Sequence, residues 1–210
     1  MRSTFLPSPL RPMGALLFLM MLNASLIAQE EEENLSDWER TFMPAIQMGY
    51  VTHGTSELSG GLMVQTSMEY RDISNFIFRI NYDELNSNMN LRYPINQDVS
   101  FSGRTSFSEL IGGIGYRHQM NKHNITAYVQ PGLRFYGYPI FEENNAQINL
   151  DLDSRNIGMI RYSAGYEFAI ASNFFFTIEI LASHVFKSKD FWIDNRWSYG
   201  ATMGFSAPLF

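Results

Sequence analysis

Cysteine is absent from this chain of 210 residues. Its absence excludes a disulfide framework, a thiolate metal site, a cysteine nucleophile and a lipid-modified N-terminal cysteine. Lysine is nearly absent as well, with only Lys122, Lys187 and Lys189. Beyond residue 40 the helical spacing of apolar residues is also missing, and no block of about 20–50 residues recurs. The sequence therefore predicts a single domain with almost no helix.

The first 28 residues have the pattern of a secretory signal peptide. Arg2 and Arg11 supply the basic region, an apolar run follows, and small residues lead up to Ala28. The apolar run is short for a membrane anchor and is soon interrupted by polar residues. We expect cleavage after Ala28, which leaves residues 29–40 as an acidic periplasmic stub.

Removal of the signal peptide makes the chain strongly acidic. The signal holds two of the 15 Lys and Arg residues and none of the 21 Asp and Glu residues, so the mature net charge is −8. A phosphate backbone would be repelled, and nucleic acid is not expected as a partner.

Apolar residues beyond residue 40 alternate with polar or small ones, which is the period of a strand between two environments. Eight such segments are predicted: 42–52, 61–71, 75–83, 107–118, 125–136, 157–168, 174–186 and 197–210. Phe107 and Ile111 fall on the polar face of the fourth segment, which would fit a β-bulge. The even number and the segment lengths are typical of tilted strands that cross a bilayer.

The connections alternate between short and long. The short ones are 72–74, 119–124 and 170–173, and the long ones are 84–106, 137–156 and 187–196, after an intermediate first loop at 52–60. In outer-membrane barrels short turns face the periplasm and long loops face the exterior. This order predicts an antiparallel up-and-down barrel with both termini in the periplasm.

Two features favour a membrane barrel over a secreted soluble one. The three lysines fall in predicted turns and loops, whereas a strand face in water should carry lysine and glutamate. The apolar faces also place aromatic residues near both strand ends, as interfacial girdles would. These residues are Phe42, Tyr70, Phe76, Tyr116, Phe168, Phe174 and Phe205 on the turn side, with Tyr50, Tyr82, Phe135 and Tyr199 on the loop side.

Residues 41–210 resemble the small outer-membrane β-barrel families of Gram-negative bacteria, the class that contains the transmembrane domain of outer-membrane protein A. The resemblance rests on the signal peptide, the strand and loop rhythm, and a last strand with Tyr199, Phe205 and the terminal Phe210. It implies residence in the outer membrane and recognition of that strand by the barrel assembly machinery. Members of the class act as anchors, adhesins, receptors, narrow channels or, rarely, lipid-modifying enzymes.

The polar faces carry five acids and five bases that should point into the lumen. They are Glu69, Arg71, Arg79, Asp83, Glu109, Arg117, Arg134, Arg161, Glu167 and Glu179. Charges in a narrow lumen are costly unless paired, so the balance of signs predicts an occluded interior held by ion pairs. The alternative is a selectivity ring, although such a ring would concentrate one sign.

Hairpin registers set by the short turns predict three of these ion pairs. Glu109 should lie directly opposite Arg134. Arg161 should lie diagonally near Glu179, and Glu69 diagonally near Arg79.

Candidates for chemistry are weak. His184 lies near the outer rim with Ser183 and Ser188, as in some barrel lipases, but alternation puts Ser183 on the opposite face. The other histidines, His53, His118 and His123, scatter over both barrel ends, so no metal cluster is expected. Loop acids without the spacing of a calcium loop are interpreted as a solvated surface; they are Glu142, Glu143, Asp151 and Asp153.

Three functions follow in order of preference. The first is a non-enzymatic scaffold, binding or envelope-integrity protein without cofactors, whose long loops could hold an extracellular ligand. The second is a narrow channel for ions or small solutes. The third is an outer-membrane lipid-modifying hydrolase. The expected partners of each are outer-membrane lipid and, during biogenesis, the barrel assembly machinery.

Overall fold

The computed structural model describes eight stretches of the chain: residues 40–55, 57–72, 74–92, 100–120, 122–144, 147–171, 173–186 and 196–209. The predicted signal peptide, residues 29–39 of the predicted stub and Phe210 of the predicted assembly signal lie outside them. Within these stretches no helix is long and apolar enough to cross a membrane.

Eight antiparallel strands form a closed barrel in which each strand pairs with its neighbours in sequence and β8 returns to β1. They are β1 (Arg40–Thr52), β2 (Leu58–Asp72), β3 (Phe76–Arg92), β4 (Ser100–Met120), β5 (His123–Asn144), β6 (Gln147–Ala171), β7 (Phe174–Val185) and β8 (Trp197–Ser206). The predicted all-β, up-and-down barrel is confirmed. Below, the turn end is the end where β2, β4 and β6 finish, and the hairpin end is the opposite one.

Four strands are much longer than the sequence predicted. β3 with β4, and β5 with β6, stay paired to the ends of their described hairpin arms. The predicted loops 84–106 and 137–156 are therefore wrong, because most of these residues belong to two protruding β-hairpins. The last strand, in contrast, ends at Ser206, before the predicted end.

The third strand shows why its extension escaped prediction. From Phe76 to Tyr82 the outward side chains are aromatic or aliphatic and the inward ones are mostly polar. Beyond Asp83 the two faces exchange character, and we call this change the polarity inversion. The inverted part has the buried Leu85, Met89 and Leu91 and the exposed Asn86, Asn88 and Asn90.

Below the inversion, the outer wall is a belt of exposed apolar side chains. Ile80 is 63% exposed and Phe78 is 56% exposed, although both belong to a paired strand. Soluble monomers rarely expose contiguous apolar patches larger than a few hundred Å². The predicted girdle residues Phe42, Tyr50, Phe76, Tyr116, Phe135, Phe168, Tyr199 and Phe205 all belong to the exposed set.

The predicted β-bulge in the fourth strand is wrong. Phe107 pairs with Tyr136 and Ile111 with Gly132 in one constant register, and both Phe107 and Ile111 are buried. They are out of phase only with an interior that is polar throughout. An apolar layer inside the barrel accounts for them.

Candidate functional site in the barrel lumen

The lumen is filled by three layers of side chains. At the hairpin end lies an apolar layer, the hairpin-end layer, whose buried members are Val51, Leu58, Met63, Leu85, Met89, Leu91, Phe107, Ile111, Tyr136, Ile157, Met159, Leu181 and Val185. At the turn end a smaller apolar cluster contains Met43, Ala169 and Phe175. Between them lies a charged layer.

The charged layer contains the residues that the sequence assigned to the lumen. Nine of the ten are buried, with exposed fractions between 0% and 2%, and Arg117 is half-buried. Guanidinium and carboxylate groups this deep must be paired and hydrogen-bonded to be tolerated. Their contacts fall into two clusters.

Glu69 is the centre of the first cluster. Its Oε2 atom lies 2.7 Å from Nη2 of Arg71, and its Oε1 atom lies 2.6 Å from Nη2 of Arg79. The hydroxyl of Tyr128 donates a further hydrogen bond, 2.9 Å long, to Oε1. One carboxylate from β2 thus binds side chains of β2, β3 and β5.

Both arginines of this cluster reach across the lumen to a second acid. Arg71 forms an ion pair with Glu167 on β6, and Asn124 donates a 3.1 Å hydrogen bond to the same carboxylate. Arg79 pairs with Glu179 on β7 at 2.6 Å. The cluster therefore ties together strands on opposite walls of the barrel.

Glu109 is the centre of the second cluster. Its Oε1 atom lies 2.5 Å from Arg134, and its Oε2 atom pairs with Arg161. Arg161 also pairs with Asp83 and donates a 3.1 Å hydrogen bond to Ser183. Strands β3 to β7 are linked by this cluster.

The three predicted ion pairs have three different outcomes. Glu109 and Arg134 lie directly opposite one another and are in contact, as predicted. Glu69 and Arg79 are in contact, but directly opposite rather than diagonal. The pair of Arg161 with Glu179 is wrong, because Glu179 lies opposite Gly165, four residues along β6 from Arg161, and the guanidinium group pairs across the lumen with the carboxylates of β3 and β4.

Tyr128 belongs to the charged layer although it carries no charge, so a search of the polar strand faces for acids and bases does not find it. The guanidinium carbon of Arg79 lies 3.7 Å from the centre of its ring, a cation–π contact. Space for the ring comes from Gly115, where a Cβ atom would overlap the ring and lie 2.8 Å from the carbonyl oxygen of Ala127. The available signal was Gly115, a glycine on the polar face of the fourth predicted segment.

His53 lies just past the end of β1, beside the hairpin-end layer. It is 2% exposed, its Nε2 atom is 3.2 Å from Oγ of Ser87, and its ring centre is 5.6 Å from that of Phe107. Burial, followed by the positive charge of Arg134, lowers the pKa of His53 to about 4. The imidazole is therefore neutral at neutral pH.

The candidate residues for hydrolysis do not come together. The ring of His184 packs against Trp197 on the outer wall at 4.7 Å between centres. Ser183 is buried in the lumen, where its hydroxyl accepts a hydrogen bond from Arg161. Nucleophilic catalysis needs a base within hydrogen-bond reach of the hydroxyl, and this arrangement does not provide it.

The structure does not assemble a metal site from the loop acids. Asp151 and Asp153 are exposed on β6, while the side chains of Glu142 and Glu143 lie outside those described. No group of three potential metal-ligating side chains occurs in the described stretches. His118 and His123 remain near the turn end, away from His53 and His184.

Comparison with known proteins identifies the fold. No family model and no curated protein matches the sequence. Among solved structures, Neisserial surface protein A superposes with a TM-score of 0.55 at 11% identity, covering 79% of this chain and 96% of that protein. The outer membrane protein OprG from Pseudomonas aeruginosa gives a TM-score of 0.53 at 7% identity, covering 84% and 99%. This chain therefore has the β-barrel fold of small Gram-negative outer-membrane proteins.

Proposed function

We propose that this protein is an integral outer-membrane barrel with a closed lumen that acts as a non-enzymatic scaffold and binding protein of the cell envelope. The observation that carries the proposal is the charged layer, sealed between two apolar layers. In this proposal the barrel is a rigid support in the membrane, and its protruding hairpins bind other molecules.

Location in the membrane is supported by the apolar belt together with the polarity inversion. The belt needs an apolar medium, whereas the exposed asparagines above the inversion need water. We therefore infer that the membrane surface lies between Tyr82 and Asn86 on β3. We assign the turn end to the periplasm and the hairpin end to the exterior, since short turns face the periplasm in this type of barrel.

The closed lumen is supported by the connectivity of the ion pairs. Glu69 and Glu109 each bind two arginines, and three of these four arginines, Arg71, Arg79 and Arg161, bind a further acid on another strand. A continuous water path would have to separate several such pairs, and breaking one buried pair costs about 3–5 kcal/mol. A channel would also have to open the hairpin-end layer.

Conductance in planar bilayers tests the proposal. We expect the folded protein, whose insertion is verified by heat-dependent migration in detergent gels, to give no conductance steps while a general porin in the same bilayers does. Regular steps from the inserted barrel would refute the closed lumen and establish the narrow channel.

A lipid-turnover assay tests the alternative of an enzyme. Vesicles that contain the wild-type barrel should release no fatty acid, and His184→Ala should give the same result. Turnover that is lost in His184→Ala would overturn the non-enzymatic role.

A further inference from the structure

The two protruding hairpins are separated by a break in the sheet. Pairing between β4 and β5 starts at Phe107 opposite Tyr136 and continues toward the turn end. Above this pair, β4 pairs only with β3, and β5 only with β6. The side of residues 100–106 that faces away from β3 therefore forms a sheet edge with no strand paired to it in the described stretches.

A free sheet edge in water is normally protected against the addition of another strand. Two neighbouring edges of this barrel are protected in this way. The extended part of β5 contains Pro139, which cannot donate to an added strand. The extended part of β6 exposes Asp151 and Asp153, whose charges oppose pairing with most strands. These edges are poor templates for strand addition.

The β4 edge has less protection. It has no proline, no lysine and no acid, its one charged residue is Arg104, and its sequence from Ser100 to Ser106 consists mainly of serine, threonine and glycine. Gly103 is exposed, and a Cβ atom built on it would meet nothing within 4 Å. No side chain at this position therefore covers the sheet face beside the edge.

We propose that the β4 edge, residues 100–106, binds an extended peptide segment of a partner protein by strand addition. The inference rests on the proposed function as a binding scaffold and specifies its surface and its partner class. Unpaired backbone amides and carbonyls supply the affinity in this mode of recognition, and flanking side chains supply the specificity.

The flanking side chains define the chemistry of the peptide. On the inner face, Phe101 packs on Phe141 of the other hairpin with ring centres 5.5 Å apart, which favours an apolar peptide residue there. On the outer face, the exposed Arg104 is the only charged side chain in the segment. The preferred segment therefore alternates apolar and polar residues and places an acid beside Arg104.

The test uses a synthetic peptide in which valine alternates with glutamate and threonine, and a matched peptide with lysine in place of glutamate. Binding to the folded barrel in nanodiscs is measured by fluorescence anisotropy, and amide hydrogen exchange locates the contact. We expect the acidic peptide to bind and to slow exchange within residues 100–106.

Reversal of the charge at residue 104 tests whether Arg104 selects the acidic peptide. Arg104→Glu should weaken binding of the acidic peptide by about tenfold and improve binding of the lysine peptide. Lys122→Glu, which makes the same change of charge in the turn after β4, should do neither.

Three outcomes of the peptide experiments would overturn the inference: no binding, protection away from the β4 edge, or equal effects of Arg104→Glu and Lys122→Glu. Protection without peptide in a dimeric preparation would do so too, because a second copy would then occupy the edge. Failure of the proposed function is recognised separately, because it appears as conductance or lipid turnover in the absence of any peptide.

Discussion

Glu109→Gln is the most informative change in the charged layer, because it removes one charge and almost no volume. In the wild type this carboxylate binds Arg134 and Arg161. After the change Arg161 keeps its ion pair with Asp83. Arg134 loses its only described ion pair and keeps a 3.2 Å hydrogen bond to Ser198.

The expected cost follows from these remaining contacts. One buried guanidinium is left without a counter-charge, so we expect the free energy of unfolding to fall by about 3–5 kcal/mol. Arg161 should add little, because Asp83 still compensates it. The double change Glu109→Gln with Arg134→Met should regain at least about 1 kcal/mol, since a buried charge is replaced by an apolar side chain that can pack near Phe107.

The assay is urea unfolding of the barrel in lipid vesicles, followed by tryptophan fluorescence and extrapolated linearly to zero urea. Glu84→Gln is the matched control: Glu84 points outward, half-buried, and accepts a 3.3 Å hydrogen bond from Tyr82. It should cost no more than about 0.5 kcal/mol. If Glu109→Gln cost no more than this control, or if the double variant were less stable than Glu109→Gln, the pairing argument would be refuted.

Three further predictions test the packing, the membrane boundary and the buried histidine. Gly115→Ala should cost about 1–3 kcal/mol because its methyl group overlaps a buried ring, whereas Gly112→Ala, whose nearest neighbour would be 3.7 Å away, should be nearly neutral in the same unfolding assay. Ile80→Arg in the belt should cost about 2–4 kcal/mol in vesicles, while Asn88→Arg above the inversion should change stability by less than about 0.5 kcal/mol; equal costs would contradict the boundary. The pKa of His53 is about 4 in the folded protein, against 6.5 in the unfolded chain. Protonation of the unfolded chain therefore favours unfolding as the pH falls from 6.5 to 4. His53→Gln should remove up to about 3 kcal/mol of the stability loss seen between pH 6.5 and pH 4, and identical pH profiles of the two proteins would disprove this assignment.

The sequence predicted the number of strands and their faces because alternation is a local property with a period of two residues. It also predicted the contact between Glu109 and Arg134, since a short turn fixes the register of the strands it joins. Both predictions need information from only one or two neighbouring strands.

Other features depend on contacts that no local pattern specifies. Arg161 selects Asp83 and Glu109 across the lumen, and the neighbours of Arg161 along the wall do not reveal that choice. The hairpin arms resemble loops in the sequence because the alternation with apolar residues on the outer face ends at Asp83. When the polar and apolar faces are exchanged beyond Asp83, the alternation in the hairpin arms predicts strands as well.

The polarity inversion also bears on how accurately the barrel can be assembled. A uniformly alternating strand is insensitive to a slip of two residues, because every side chain returns to a face of the same kind. A slip of two residues in β3 toward the hairpin end would instead carry Asp83 into the hairpin-end layer, and the opposite slip would move Leu85 into the charged layer. Either slip would bury a charge without a partner or leave an arginine unpaired, which is unfavourable. The sequence of β3 therefore specifies the register of the strand along the barrel axis as well as its two faces.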